Sequence, residues 1–174
     1  MTDFSALFEQ LLNAAEEDMR KDFTTRRDTL VEGRWIALDA SFDLEGERKP
    51  FGLIPTGVKT HCHERCLFIP MQELTGEGLE EALDYITRVH DNLVEADQLH
   101  EFSLFSLVLV TDHFDHSLHK RVKKYAHDVR HQAPARGWSS VRVAVVDLSA
   151  GTILTNKLGD TLGDRLRPTV KRLG

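Results

Sequence analysis

Residues 103–111 read Ser-Leu-Phe-Ser-Leu-Val-Leu-Val-Thr, an apolar run of strand length that surfaces at Asp112. A strand wetted on one side alternates apolar and polar residues, whereas a run without alternation is what burial on both faces looks like. The chain therefore has a central strand, and its other elements must pack around it.

Those elements are legible from their periods. Phe4, Leu7, Phe8, Leu11, Leu12, Ala15, Met19 and Phe23 recur at three- and four-residue steps, which predicts an amphipathic helix over residues 4 to about 23 with Asp3 as its cap. Thr29 to Val31 is a short β-capable piece. After the Glu32-Gly33 turn, Ile36, Leu38, Ala40, Phe42 and Leu44 alternate with smaller or polar residues, the signature of a half-buried strand. Phe51 to Ile54 and residues 59–70 continue an antiparallel meander. A helix is predicted over residues 76–96, its stripe formed by Leu79, Leu83, Ile86, Val89 or His90, and Leu93. A further helix is predicted over residues 115–131, ended by Pro134 and Gly137. Residues 141–147 and 152–155 form a C-terminal hairpin about Ser149-Ala150-Gly151, and a last helix runs from Asp160 to about Leu173. The expectation is one α+β domain spanning residues 1–174: an antiparallel-rich mixed sheet, meander plus C-terminal hairpin, forming a single-layer sandwich with helices packed on at least one face.

Composition narrows the function. With 174 residues, 41% of them apolar, the chain can bury a core without disulfide or metal staples. A net charge of -6 argues against a general nucleic-acid binder. The charge is uneven: Glu73, Glu77, Glu80, Glu81, Asp84, Asp91, Glu95, Asp97 and Glu101 make one segment acidic. Lys120, Arg121, Lys123, Lys124, Arg130 and Arg136 make a later one basic. No apolar run approaches the roughly 20 residues of a membrane span and the N-terminus lacks a leader pattern, so a cytoplasmic protein with no membrane partner is expected. Cys62 and Cys66, four residues apart, suit reduced thiols better than a secreted disulfide framework.

The densest set of metal-type donors is His61-Cys62-His63-Glu64-Arg65-Cys66. On an extended strand His61, His63 and Arg65 point one way and Cys62, Glu64 and Cys66 the other, so the four soft donors cannot close on one ion. Two subsets remain. His61 and His63 form an H-x-H half-site that Asp39 or Asp43 on the neighbouring strand, or His113 or His116, would complete. Cys62 and Cys66 would instead supply two thiolates to distant histidines or a second subunit. These donors suit zinc or another divalent metal, although no motif dictates a cofactor. His127-Asp128-Val129-Arg130-His131 imitates a zinc helix of the H-E-x-x-H type with the shorter acid in place of Glu. Asp112, Asp115, His113 and His116 gather where a strand meets a helix start, and Asp115 reads most simply as a cap. No phosphate loop, dinucleotide fingerprint or nucleophile elbow occurs, so catalytic residues are not assigned.

Two resemblances follow from these residues. The strand-helix-strand order leading to Asp147, with Asp39 and Glu64-Arg65-Cys66, resembles the restriction-endonuclease-like nucleases, which implies a metal-dependent nuclease site; Cys66 stands where that family has lysine. The closing pattern Val145-Val146-Asp147-Leu148-Ser149-Ala150-Gly151-Thr152-Ile153-Leu154-Thr155-Asn156-Lys157, with Gly137-Trp138 and the Leu109-Val110-Thr111 strand before it, resembles small bacterial proteins grouped as a domain of unknown function. That likeness covers the last two-thirds of the chain and implies a fold and no activity.

The leading expectation is a binding or accessory module that meets a protein partner or a second copy through charged faces, the basic one made of Lys120, Lys123, Lys124, His127 and Arg130. The alternative is a metal-binding or metal-dependent hydrolytic protein built on His61 and His63 with nearby acids.

Overall fold

The computed structural model describes residues 3–47, 59–132 and 136–173. In chain order these form α1 (Phe4–Met19), β1 (Thr24–Val31), β2 (Arg34–Glu47), β3 (Lys59–Pro70), α2 (Gly76–Leu93) and β4 (His100–Thr111). After them come α3 (His119–Lys124), β5 (Asp128–Arg130), β6 (Trp138–Asp147), β7 (Thr152–Thr155) and α4 (Asp160–Leu173). The expected strand at Phe51 to Ile54 lies outside the described residues.

One mixed sheet organises the molecule. Its order is β1-β2-β3-β4-β6-β5, with β7 also pairing with β6. β1, β2 and β3 form the antiparallel meander, and β6 pairs antiparallel with β5 and with β7. The β3–β4 and β4–β6 pairs are parallel, so each requires a crossover. α2 makes the first and the α3–β5 segment the second.

Both crossovers lie on one face of the sheet, where Leu67, Ile69, Phe105, Leu107, Leu109, Val141, Val143 and Val145 meet Leu79, Leu83, Ile86 and Val122. On the other face Phe68, Val108, Val110, Ala144 and Val146 meet Phe8, Leu11 and Leu12 of α1 and Leu162, Leu166 and Val170 of α4. The central strand thus has apolar layers on both sides, which is why its sequence lacks alternation. The α+β reading and the C-terminal hairpin are present as expected.

The helix expected over residues 115–131 is a correction. A single 3-10 turn at His116–Leu118, capped by Asp115, leads into six residues of α3, and Tyr125 is already extended. Lys120 with Lys124 and Arg121 with Lys124 put like charges one turn apart, which works against prolonging the helix. Beyond it, Asp128, Val129 and Arg130 pair with Ser140, Ser139 and Trp138 on the edge of β6. His127 and His131 consequently sit on an extended segment, not on a zinc-type helix.

Candidate functional site

At the end of the sheet where β4 and β6 begin, six of the nine histidines gather: His61, His63, His90, His100, His127 and His131. The centre is His90. It occupies a position in the apolar stripe of α2, one turn after Ile86, and is only 1% exposed, its ring edge-on to Phe105. A buried imidazole needs partners for both nitrogens. Nδ1 lies 2.8 Å from Oδ1 of Asp91, and Nε2 lies 2.6 Å from Oγ of Ser139 on β6.

The extended segment after α3 brings in His127. Its backbone carbonyl accepts from Val141 N–H at 3.0 Å, and two residues earlier the Tyr125 hydroxyl is 2.7 Å from that of Thr87, one helical turn before Asp91. So fixed, His127 sets Nε2 2.8 Å from Asp91 Oδ1 and 3.1 Å from His90 Nδ1. The three donor atoms form a near-equilateral triangle. Among the described residues this is the cluster of three His, Cys, Asp or Glu side chains close enough to share one ion.

Electrostatics prepare these groups. Burial pushes the His90 imidazole below its ordinary range, so at neutral pH it carries a lone pair. Burial pushes the Asp91 carboxyl upward, but hydrogen bonds from His90 and His127 outweigh it and hold Asp91 below the usual carboxylate range. The result is a neutral nitrogen beside an ionised oxygen.

The remaining histidines extend the polar floor. His131 Nε2 is 2.7 Å from the same Ser139 Oγ, and its ring stands edge-on to His100 at 5.5 Å. His100 donates from Nδ1 to the Arg136 carbonyl at 2.6 Å and meets Ser103 Oγ through Nε2 at 2.8 Å. His61 and His63 line a cleft of about 280 Å³ with Asp43, Arg65, Leu93, Glu95 and Ser103.

The expected metal set divides accordingly. The strand alternation holds: His61 and His63 face α2, while Cys66 packs with α1 and α4. Asp43 does meet His63, across the β2–β3 pair at 2.8 Å, but His61 turns to Asp97 at 2.8 Å, so the H-x-H pair does not converge. Asp39 is occupied elsewhere. It is buried between Arg26, at 2.8 Å, and Arg65, whose Nε and Nη2 reach its two oxygens at 3.0 and 2.8 Å. His113 and His116 lie beyond the far end of β4, twelve residues at about 3.3 Å each from His100. His113 approaches Asp147 and His116 packs on His119. Glu64 lies on the opposite face from Asp39, paired with Arg142, so the nuclease-like acid pair is not assembled.

Cys62 and Cys66 point to one face of β3 but stand four residues apart on it, about 13 Å at the rise of a strand, too far to share one ion. Burial pushes the Cys66 thiol up to about 12, and burial together with Glu101 raises Cys62. Neither thiol is expected to exchange with an aromatic disulfide reagent in native protein at neutral pH, while both should react after denaturation. Rapid native labelling of Cys66 would contradict its burial.

The basic set is likewise split. Lys120, Lys123 and Lys124 are exposed on α3, where Arg121 pairs with Glu80 of the acidic helix α2 at 2.9 Å. Arg130 points to the other face and lines a groove of about 970 Å³ with Trp138, Leu104, Leu158 and Arg142. His127 belongs to the triangle with His90 and Asp91.

A family model described as Domain of unknown function (DUF8052) matches residues 8–168, nearly the whole chain. The chain belongs to this family. No curated protein and no solved structure matches it. For this DUF8052 domain, then, the histidine floor stands on its own geometry. Sequence reading missed His90, Asp91, His100, His131, Ser103 and Ser139 as a set. One signal was available: a histidine in the apolar stripe of α2, followed directly by an acid. Among the described residues no helix is long and apolar enough to cross a membrane.

Proposed function

We propose that this DUF8052 domain binds a divalent transition-metal ion of the zinc type through His90 Nδ1, Asp91 Oδ1 and His127 Nε2. The observation that carries the reading is the triangle itself, whose sides are 2.8, 2.8 and 3.1 Å. Ligands about 2.0–2.1 Å from a tetrahedral ion stand roughly 3.3 Å apart, so a small outward adjustment seats the metal. Without an ion, both imidazole nitrogens must share one carboxylate oxygen while facing each other. Two nitrogens and a carboxylate suit zinc and its borderline neighbours better than calcium or magnesium.

Surroundings support the same reading. Asp91 and His127 border solvent, which leaves a coordination position for water or an exogenous ligand, the arrangement of reactive rather than closed structural zinc sites.

The test is zinc titration of chelator-stripped protein against a chromophoric competitor, with melting followed in parallel. Zinc at 100 times its dissociation constant should stabilise the fold by about 2.7 kcal/mol. For a domain of this size that is a rise in Tm of roughly 5–10 °C. His127→Ala should abolish the shift, whereas His113→Ala with His116→Ala should retain it. An equal shift in His127→Ala, or none in the native sequence, would remove the basis for the proposal.

A further inference from the structure

Ser139 meets the metal triangle at His90 Nε2, and His131 reaches that atom only through the Ser139 hydroxyl. Ser139 is fully buried, and its single hydroxyl lies 2.6 Å from His90 Nε2 and 2.7 Å from His131 Nε2. One hydroxyl has one proton. It donates to one imidazole and accepts from the other, so the two rings cannot hold their protons independently.

Resting on the metal-binding reading, we infer that Ser139 and His131 are positioning residues for the metal site, forming a hydrogen-bond relay whose direction reverses when the ion binds. Coordination at His90 Nδ1 leaves the proton of the neutral ring on Nε2. Nε2–H then donates to Ser139 Oγ, and the Ser139 hydroxyl must donate onward to His131 Nε2, which becomes the unprotonated nitrogen of that ring.

Without metal the order runs the other way. His90 Nδ1–H donates to Asp91, Nε2 accepts from the Ser139 hydroxyl, and Oγ accepts from His131 Nε2–H. No proton leaves the relay's three groups except by exchange between the two nitrogens of each ring, through solvent. The partner that fixes a metal-bound histidine's second nitrogen orients the ring and raises its basicity. Here that partner is a serine whose own orientation is fixed by a second histidine.

The loading state is therefore written onto His131, directly after β5, and onto the groups bonded to it. His131 N–H donates to the Gly137 carbonyl at 2.9 Å, and the neighbouring Arg136 carbonyl accepts from His100. A change of tautomer at His131 thus occurs among groups already tied to the start of β4.

The decisive measurement uses the native protein with 15N-labelled histidine and long-range nitrogen–proton correlation spectra at neutral pH, before and after one equivalent of zinc. The expected result is that His131 Nε2 moves from a protonated, pyrrole-like shift to an unprotonated, pyridine-like one as His90 and His127 take on metal-bound signatures. In parallel, Ser139→Ala should weaken zinc binding by about 10- to 100-fold. His131→Ala should weaken it in the same direction, and His131→Gln, whose side-chain carbonyl still accepts from Ser139, should recover most of that loss.

Zinc captured at His90 and His127 with the His131 tautomer unchanged would overturn the relay alone. Unaltered affinity in a folded Ser139→Ala would do the same. If His90 and His127 do not respond to zinc at all, the metal-binding reading and the relay both fall. Because the tautomer is read in the native sequence, a Ser139→Ala that does not fold leaves the relay fully testable.

Discussion

Asp39→Ala is expected to destabilise the protein by about 3–5 kcal/mol, the cost of breaking a buried ion pair by removing one partner. The native stability of a domain is about 5–15 kcal/mol, so this is a large fraction of it. Asp39 is 1% exposed and carries the charge that compensates two guanidinium groups. Arg26 is well exposed and can turn to water, so its share is small. Arg65 cannot. Its side chain is only 16% exposed, and the Asp39 hydrogen bonds hold its charged form against the opposing effect of burial.

The pair therefore serves as a matched unit inside the α2-facing layer, and the control is to remove both members. Asp39→Leu with Arg65→Met should recover most of the loss, since replacing a buried pair by apolar residues of similar volume is often neutral or better. Urea unfolding of native, single and double variants measures this directly. A loss below about 1 kcal/mol for Asp39→Ala, or a double variant no better than the single, would contradict the assignment. Zinc binding gives a second axis. Were Asp39 a ligand beside His61 and His63, its removal would lower metal uptake; as an arginine partner on β2, it should leave the zinc-dependent stabilisation of the folded variant intact.

That contrast shows where sequence reasoning reaches and where it stops. The strands β4 and β6 were legible because burial on both faces removes alternation, and α1, α2 and α4 because each must present one apolar stripe. The separation of His61 and His63 from Cys62 and Cys66 followed from the two-residue period of a strand. Asp43 was a correct neighbour of His63 for the same reason. Asp39 was not distinguishable from it, because what occupies Asp39 is Arg26 on β1 and Arg65 on β3, and the choice between arginine and histidine partners is made by register.

The second helix-like stretch failed for a different reason. Leu118, Val122, Tyr125 and Val129 fit a helical stripe, but Val129 equally fits the exposed edge of β6, and the ladder decided. This error also hid the site. On a helix His127 and His131 would share one face and one ion. On the extended segment they separate, His127 to Asp91 and His131 to Ser139, and each meets a residue on another element. His90 lies 37 residues from His127 and 49 from Ser139, distances over which no local period carries information.

Gly137→Ala should be the most damaging glycine substitution among the described residues, at about 2–5 kcal/mol, and comparison with two others separates its causes. Gly33, Gly137 and Gly151 all have positive φ, at 80°, 69° and 64°. A side chain in that region costs roughly 1–2 kcal/mol by itself. At Gly33 and Gly151 nothing lies within 4 Å of an added Cβ, so conformation is the whole cost there. At Gly137 the Cβ would stand 2.0 Å from the Glu101 carbonyl oxygen and 2.6 Å from its carbon. Both are backbone atoms of β4, which cannot rotate away as a side chain could, and overpacking of this kind adds about 1–3 kcal/mol.

The strand that must move is the one that carries His100 and Ser103, and the residue that must move lies between the Arg136 carbonyl bound by His100 and Ser139 bound by His90. Gly137→Ala should therefore lose zinc affinity together with stability, whereas Gly151→Ala, beyond the end of β6 opposite Ser139, should lose stability alone. Melting curves and zinc titrations of the three variants give the two losses separately. Equal destabilisation in all three would mean that β4 yields without cost at Glu101. Unchanged zinc affinity in folded Gly137→Ala would mean that the close approach of the two strands does not set the position of Ser139.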